Sequence, residues 1–212
     1  MRMIRALIFD LDNCLAASDE PGREFCQPAF EAIRRANQGT LSAEVLEQAF
    51  AAIWRQPLDA VAKNFGFSKQ MLDAGWEASK DLEITVPLRG YGDLSVLKEL
   101  DALRFLVTSG FRRLQESKIR ALGVAPLLTG FYVDAIDKDG RKGKLNIFRE
   151  IIDANRLNPA EVLVVGDSAD SEIAAGNRLG ATTVQILRPG VTPTADATHR
   201  IHRLDELKAL MR

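Results

Sequence analysis

Three apolar runs in this 212-residue chain end in side chains that can do chemistry. Ala6–Phe9 runs into Asp10-Leu11-Asp12-Asn13, residues 104–107 into Thr108-Ser109-Gly110, and residues 162–165 into Gly166-Asp167-Ser168. Two carboxylates one residue apart are costly unless a cation neutralises them, so Asp10 and Asp12 imply a bound divalent metal. The three run ends, Asp10/Asp12, Thr108/Ser109 and Asp167, carry polar groups suited to a phosphoryl group and a metal. A carboxylate can attack phosphorus, which divides hydrolysis into two easier displacements. Each stretch also has a plainer reading. Asp-x-Asp serves as a solvated Asx turn, and Thr-Ser-Gly as a helix cap and turn.

The elements that must position these groups follow from the spacing of apolar residues. A short apolar run closed by a turn residue is a buried strand of a parallel sheet, and such sheets bind ligands just beyond the carboxyl ends of their strands. Helical spacing predicts helices over 92–103 (Leu94, Leu97, Leu100), 111–122, 145–155, 171–179 and 204–210, with further strands at 131–136 and 182–187. Residues 137–144 are charged and turn-rich, and 189–198 form a Pro/Thr-rich loop. Strands alternating with helices give an α/β fold, a doubly wound parallel sheet. Residues 23–80 differ, because every periodic stretch there is helical. An all-helical block is therefore expected at 16–85, inserted into an α/β core made of 1–15 and 86–212.

Composition narrows the function classes. Hydrophobic content of 46% and charged content of 27% are those of an ordinary globular protein. A formal net charge of -1 and no basic cluster speak against nucleic acid as a partner. No apolar run approaches the ~20 residues that span a membrane, and no signal-peptide core opens the chain. Two cysteines make a disulfide framework unexpected and a reducing cytoplasmic setting the default. Cys14 is expected to be a small buried side chain, His199 and His202 to lie at the surface, and Trp54 and Trp76 to pack apolar interiors.

Asp10-Leu11-Asp12-Asn13-Cys14-Leu15 behind a buried strand resembles the first motif, D-x-D-x-T/V, of the haloacid dehalogenase superfamily of phosphohydrolases. Cys14 departs from the Thr or Val usual there. Thr108 at its strand end is similar to the second motif. Lys142 or Lys144 falls where the family has a lysine, and Gly166-Asp167-Ser168-Ala169-Asp170-Ser171-Glu172 resembles the last motif. The likeness covers the start of the chain and residues 86–188; the helical block matches family caps in position only.

That resemblance implies a Rossmann-like core with the first strand at its centre, beside the strand ending at Gly166. It makes Asp10 the nucleophile of an aspartyl-phosphate and Asp12 the general acid and then base. It implies Mg2+ held by Asp10, Asp167 and the Asp12 backbone carbonyl, supported by Glu172 directly or through water. Glu172 early in a helix is favourable through the dipole alone, so that role competes with a structural one. The Thr108 hydroxyl, with the Ser109 and Gly110 amides at the start of the following helix, is expected to hold a phosphate oxygen. The lysine offsets charge on the phosphoryl group. Lys144 directly precedes the apolar stripe Leu145, Phe148, Ile151 and Ile152 and follows Gly143, so it is expected to turn inward as the catalytic lysine. Lys142, beside Arg141 in a charged turn, is kept as a phosphate-binding alternative with a solvated position the easier expectation.

The implied activity is a Mg-dependent phosphatase of a small phosphorylated metabolite, such as a sugar phosphate, phosphoglycolate or a nucleotide. Haloacid dehalogenation needs neither a metal nor a second acid, so Asp12 and Asp167 speak against it. A phosphomutase would keep all these residues, and a silent binding domain is opposed by the intact acids. The sequence leaves the physiological substrate and the oligomeric state open.

Overall fold

The computed structural model of the protein describes residues 3–211. The first strand, β1 (Ala6–Phe9), is buried at every position because both its faces meet a core. Ala6 and Ile8 join Val107, Phe148, Ile151 and Val164, whereas Leu7 and Phe9 join Leu106, Ile119, Val165 and Leu204. A strand covered on both sides must be apolar throughout, which is why it reads as a continuous run. Five more strands follow: β2 (Leu103–Gly110), β3 (Gly130–Ala135), β4 (Val162–Gly166), β5 (Thr182–Ile186) and β6 (His199–Ile201). They form one sheet in the order β3-β2-β1-β4-β5-β6, and every pairing is parallel. The chain builds β2 and β3 on one side of β1, then returns to lay β4 on the other. β1 is thus flanked by β2 and β4, with Phe9 in register with Leu106 and Val165. A switch point of this kind leaves a crevice at the strand ends.

Between β1 and β2 the described chain makes helices and turns, with no strand in the run from 17 to 102. The helices are α1 (Gln27–Ala36), α2 (Ala43–Ile53), α3 (Leu58–Phe65) and α4 (Lys69–Ser79). Serines cap two of them: Ser42 Oγ accepts from the Val45 N–H and Ser68 Oγ from the Met71 N–H. Phe30, Ile33, Leu46, Phe50, Leu58 and Met71 form a separate apolar cluster, with Phe30 stacked on Phe50 at 4.4 Å between ring centroids. Gly75 lets α4 lie close on α1, since a Cβ there would stand 2.8 Å from Ile33 Cδ1. The cluster continues onto Phe111, Leu114 and Ile136, so the insert sits over the carboxyl end of the sheet. Its two connections meet at Glu20, whose carboxylate accepts from the backbone N–H groups of Arg89 and Gly90.

The remaining helices are α5 (Arg112–Leu122), α6 (Lys144–Ala154), α7 (Ala174–Leu179) and α8 (Leu207–Leu210). α5 covers the Phe9 face with Ile119 and Leu122; α6 covers the Ile8 face with Phe148 and Ile151. Three expectations need correction. The helix over 92–103 is only a 3-10 stretch, Leu94–Glu99. Leucines at 94, 97 and 100 fit its period of three as well as an α-helix, and the Asp93 carboxylate is drawn off to Arg188 and the Leu204 N–H. A sixth strand, β6, lies beyond the last one expected; it has three residues, too few for a visible period. The helix expected from 171 begins instead as a π turn, Ala169–Ile173, before α7. Both histidines are exposed, and Cys14 is fully buried, its Sγ 3.7 Å from the Val165 carbonyl.

Candidate active site

Asp10 leaves the end of β1 with its N–H donated to the Val165 carbonyl, and its side chain is buried. Lys144 Nζ donates to Asp10 Oδ1 at 2.6 Å and also to Glu172 Oε1. Lys144 reaches inward from the first position of α6, after Gly143 at φ 75°, and the Gly143 N–H is held by Asp134 Oδ1 at 2.9 Å. Asp134, at the end of β3, further accepts from Arg141 Nε and Ser109 Oγ. One buried carboxylate therefore sets the loop that presents the lysine. Lys142 points elsewhere: its Nζ pairs with Glu150 at 2.7 and 2.9 Å on the surface.

Glu172 projects from the π turn, and the widened turn carries it back over β4. It accepts from Ser171 Oγ and the Ser168 N–H, and is 1% exposed. Gly166 makes room, because a Cβ there would stand 2.5 Å from Glu172 Cγ. Such π turns concentrate at functional sites. Carboxylate oxygens of Asp10, Asp167 and Glu172 all lie within 4.8 Å of one another. Burial, then Glu172, push Asp10 well above the usual carboxylate range against the pull of Lys144. The same two causes push Asp167 up to about 7. Burial also works to raise Glu172, but Lys144 and its hydrogen bonds hold it below its ordinary value. Burial opposes the charge on Lys144, yet Asp10 and Glu172 raise it above the lysine range. Ionised together, the three carboxylates would outweigh the one ammonium by two negative charges in a set of hard oxygen donors, which burial resists until a cation answers them. A divalent cation such as magnesium fits that charge and those donors.

Asp12 does not join this group. Asn13 takes a left-handed turn at φ 57°, and Asp12 turns toward α5. Lys118 Nζ donates to Asp12 Oδ1 at 2.7 Å and Gln115 Nε2 to Oδ2 at 3.1 Å. Gln115 also accepts from Thr108 Oγ1 at 3.4 Å and donates to the Ser109 carbonyl. Gly110 leaves room for that amide, since a Cβ would stand 2.5 Å from Gln115 Nε2. Thr108, Ser109 and Gly110 belong to β2 itself rather than to a helix start, which comes only at Arg112.

Asp10, Asp12, Thr108, Ser109, Gly110, Lys144, Asp167 and Glu172 all border one cavity of about 450 Å3; Lys142 does not. The sequence reading missed Asn13, Arg55, Gln115, Lys118, Asp134 and Arg141. For two of these a signal existed. Gln115, Lys118, Ile119 and Leu122 share one stripe of α5, so two polar residues occupy core-facing positions where apolar ones are expected.

The family model of haloacid dehalogenase-like hydrolases matches residues 4–180. A glyceraldehyde 3-phosphate phosphatase of Methanopyrus kandleri is 28% identical over 202 residues, covering 88% of this chain and 85% of that one. Among solved structures, a HAD phosphatase from Thermococcus onnurineus superposes with a TM-score of 0.67 at 21% identity, over 98% of each chain. The putative HAD-hydrolase YfnB of Bacillus subtilis, bound to magnesium, does so with a TM-score of 0.65 at 18% identity over the whole of both. Those two likenesses concern the fold. With the motif residues gathered at the ends of β1, β2 and β4 and the family model spanning them, the chain belongs to the haloacid dehalogenase-like hydrolases.

Proposed function

We propose that the protein is a magnesium-dependent phosphohydrolase of a small phosphorylated metabolite, working through an aspartyl-phosphate on Asp10. The observation that carries this is the buried set of Asp10, Asp167 and Glu172 with Lys144 among them, at the end of the central strand. The glyceraldehyde 3-phosphate phosphatase among its relatives supports the substrate class, and the magnesium-bound relative supports the metal.

In the first displacement an Asp10 oxygen bonds to phosphorus and the bond from phosphorus to the leaving oxygen breaks. Asp12 gives that oxygen its proton. In the second, Asp12 takes a proton from water as the water oxygen attacks phosphorus, and the Asp10 carboxylate is released with inorganic phosphate. Lys118 and Gln115 orient Asp12 away from the metal-binding acids, which keeps the tasks of the two aspartates apart. Lys144 sets a fixed positive charge beside Asp10, where the phosphoryl oxygens must come. Thr108 and Ser109 border the same cavity, and their hydroxyls, donated here to Gln115 and Asp134, would reach those oxygens by turning from these partners. Asp10, Asp167 and Glu172, with the Asp12 carbonyl, would hold magnesium, which would supply charge to offset that of the phosphate. Helices α1–α4, within residues 16–85, act as a cap over the crevice that limits bulk water.

The test combines turnover with trapping. A phosphomonoester panel, p-nitrophenyl phosphate included, should be hydrolysed with magnesium present. Acid-quenched enzyme should carry the mass of one phosphoryl group on the peptide containing Asp10. Turnover that persists in Asp10→Asn would overturn the assignment.

A further inference from the structure

We infer that this site, on the phosphohydrolase reading above, takes phosphate monoesters of apolar alcohols, with the organic part seated against the helical cap. The cavity volume of about 450 Å3 lies in the range of small-molecule sites. Phe25, Ile53, Trp54 and Leu82 from the insert, with Leu114 and Ile136 from the core, border it and are only half-buried. Apolar surface left partly uncovered beside a cavity gains by meeting an apolar group and gains nothing from a hydroxyl, which must give up water there.

Charge and hydrogen bonding on the same wall point the same way. Every cation bordering the cavity among the described residues already faces a carboxylate. Lys144 meets Asp10 and Glu172, Lys118 meets Asp12, Arg141 meets Asp134 and Asp59, and Arg55 stands 4.0 Å from Asp167. The pair of Arg55 with Asp167 is the loosest of these and sets its guanidinium beside the acid cluster. A second anionic group on the substrate finds no spare counter-charge. Two of the polar side chains nearby are engaged as well: Asn64 donates to Gln56 Oε1 at 2.9 Å, while Asn13 donates to the Trp54 carbonyl and accepts from the Ser18 N–H.

The experiment compares methyl, propyl and butyl phosphate with glycerol phosphate and phosphoglycolate, all with magnesium. kcat/KM should rise roughly fourfold per methylene. Butyl phosphate should exceed glycerol phosphate by about tenfold or more. A flat series, or a preference for glycerol phosphate or phosphoglycolate, overturns the inference. Calorimetric binding of the matching alkylphosphonates, which keep the dianion but have no ester bond to break, reads the same slope without turnover. A binding slope with no ester hydrolysed upholds the apolar wall and sinks the phosphohydrolase reading; hydrolysis without any slope does the reverse. Ile53→Ser and Leu82→Ser, each confirmed folded by its melting curve, should flatten the slope. A slope unchanged in both would overturn the seat proposed here.

Discussion

The floor of the cavity and its roof are built under opposite physics. On the floor, at the ends of β1, β3 and β4, charged groups are buried and each one is answered by another: Asp10 and Glu172 by Lys144, Asp134 by Arg141 and the Gly143 amide. Burial of this kind adds little stability of its own and demands that no partner be removed. The roof, α1–α4, is held by apolar packing around Phe30, Phe50 and Met71, and its charged pairs lie at the solvent edge. A floor so constrained tolerates no variation in chemistry, whereas an apolar roof can be repacked at modest cost. On the proposed function, reaction would fall to the first layer and selection of substrate to the second.

The sharpest break is Asp10→Asn. It should lower kcat by roughly 10^4–10^6-fold, as for loss of other catalytic nucleophiles. Because it relieves three crowded carboxylates and leaves Glu172 to answer Lys144, circular dichroism should show an intact fold. Full activity in that variant would sink the division of labour.

On the proposed reading, removing the metal would act on the floor as a whole. Chelation should abolish turnover and magnesium restore it. At a hundredfold excess over Kd, binding adds about 2.7 kcal/mol, a rise in Tm of roughly 5–10 °C for a chain of this size. A melting curve indifferent to magnesium would contradict the site.

The two lysines set floor against surface within three residues. Lys144→Ala should cost ~2–4 kcal/mol of transition-state stabilisation, read from kcat/KM. Lys142→Ala removes an exposed pair with Glu150 and should stay within about 0.5 kcal/mol in both rate and stability. The reverse ranking would move the role to Lys142.

A further test, which leaves turnover aside, reads the roof. Burial pushes the Cys26 thiol up to about 11, with Lys118 pulling the other way. At pH 8 its thiolate fraction, and so its iodoacetamide labelling, should fall roughly 200-fold below a free cysteine. Labelling at the free rate would mean that the roof stands away from the floor in solution.

How far the sequence revealed all this depends on range. Asp10, Thr108 and Asp167 were legible because each closes an apolar run, a signal contained within a few residues. The inward turn of Lys144 was legible from Gly143 and the stripe of α6. Asp134 was not, because its task is to bind Ser109, Arg141 and Gly143, and those partnerships exist only once β2 and β3 pair. Lys118 and Gln115 were readable as misplaced polar residues on α5, but their target, Asp12, lies more than a hundred residues away. The 3-10 stretch at Leu94–Glu99 was misread because a period of three does not separate it from an α-helix.

The Glu20 clamp has a consequence for how the chain assembles. Pairing Ala6 with Leu103 requires the ends of a long intervening segment to meet, and Glu20 and Gly90 are themselves 70 residues apart. Closing a flexible loop of that length costs about 4 kcal/mol of chain entropy. A helical block that collapses first and latches its own ends through Glu20 has already met that cost. β1 would then reach β2 across a short, ordered gap, and the nucleation of the central sheet would become a nearly local event.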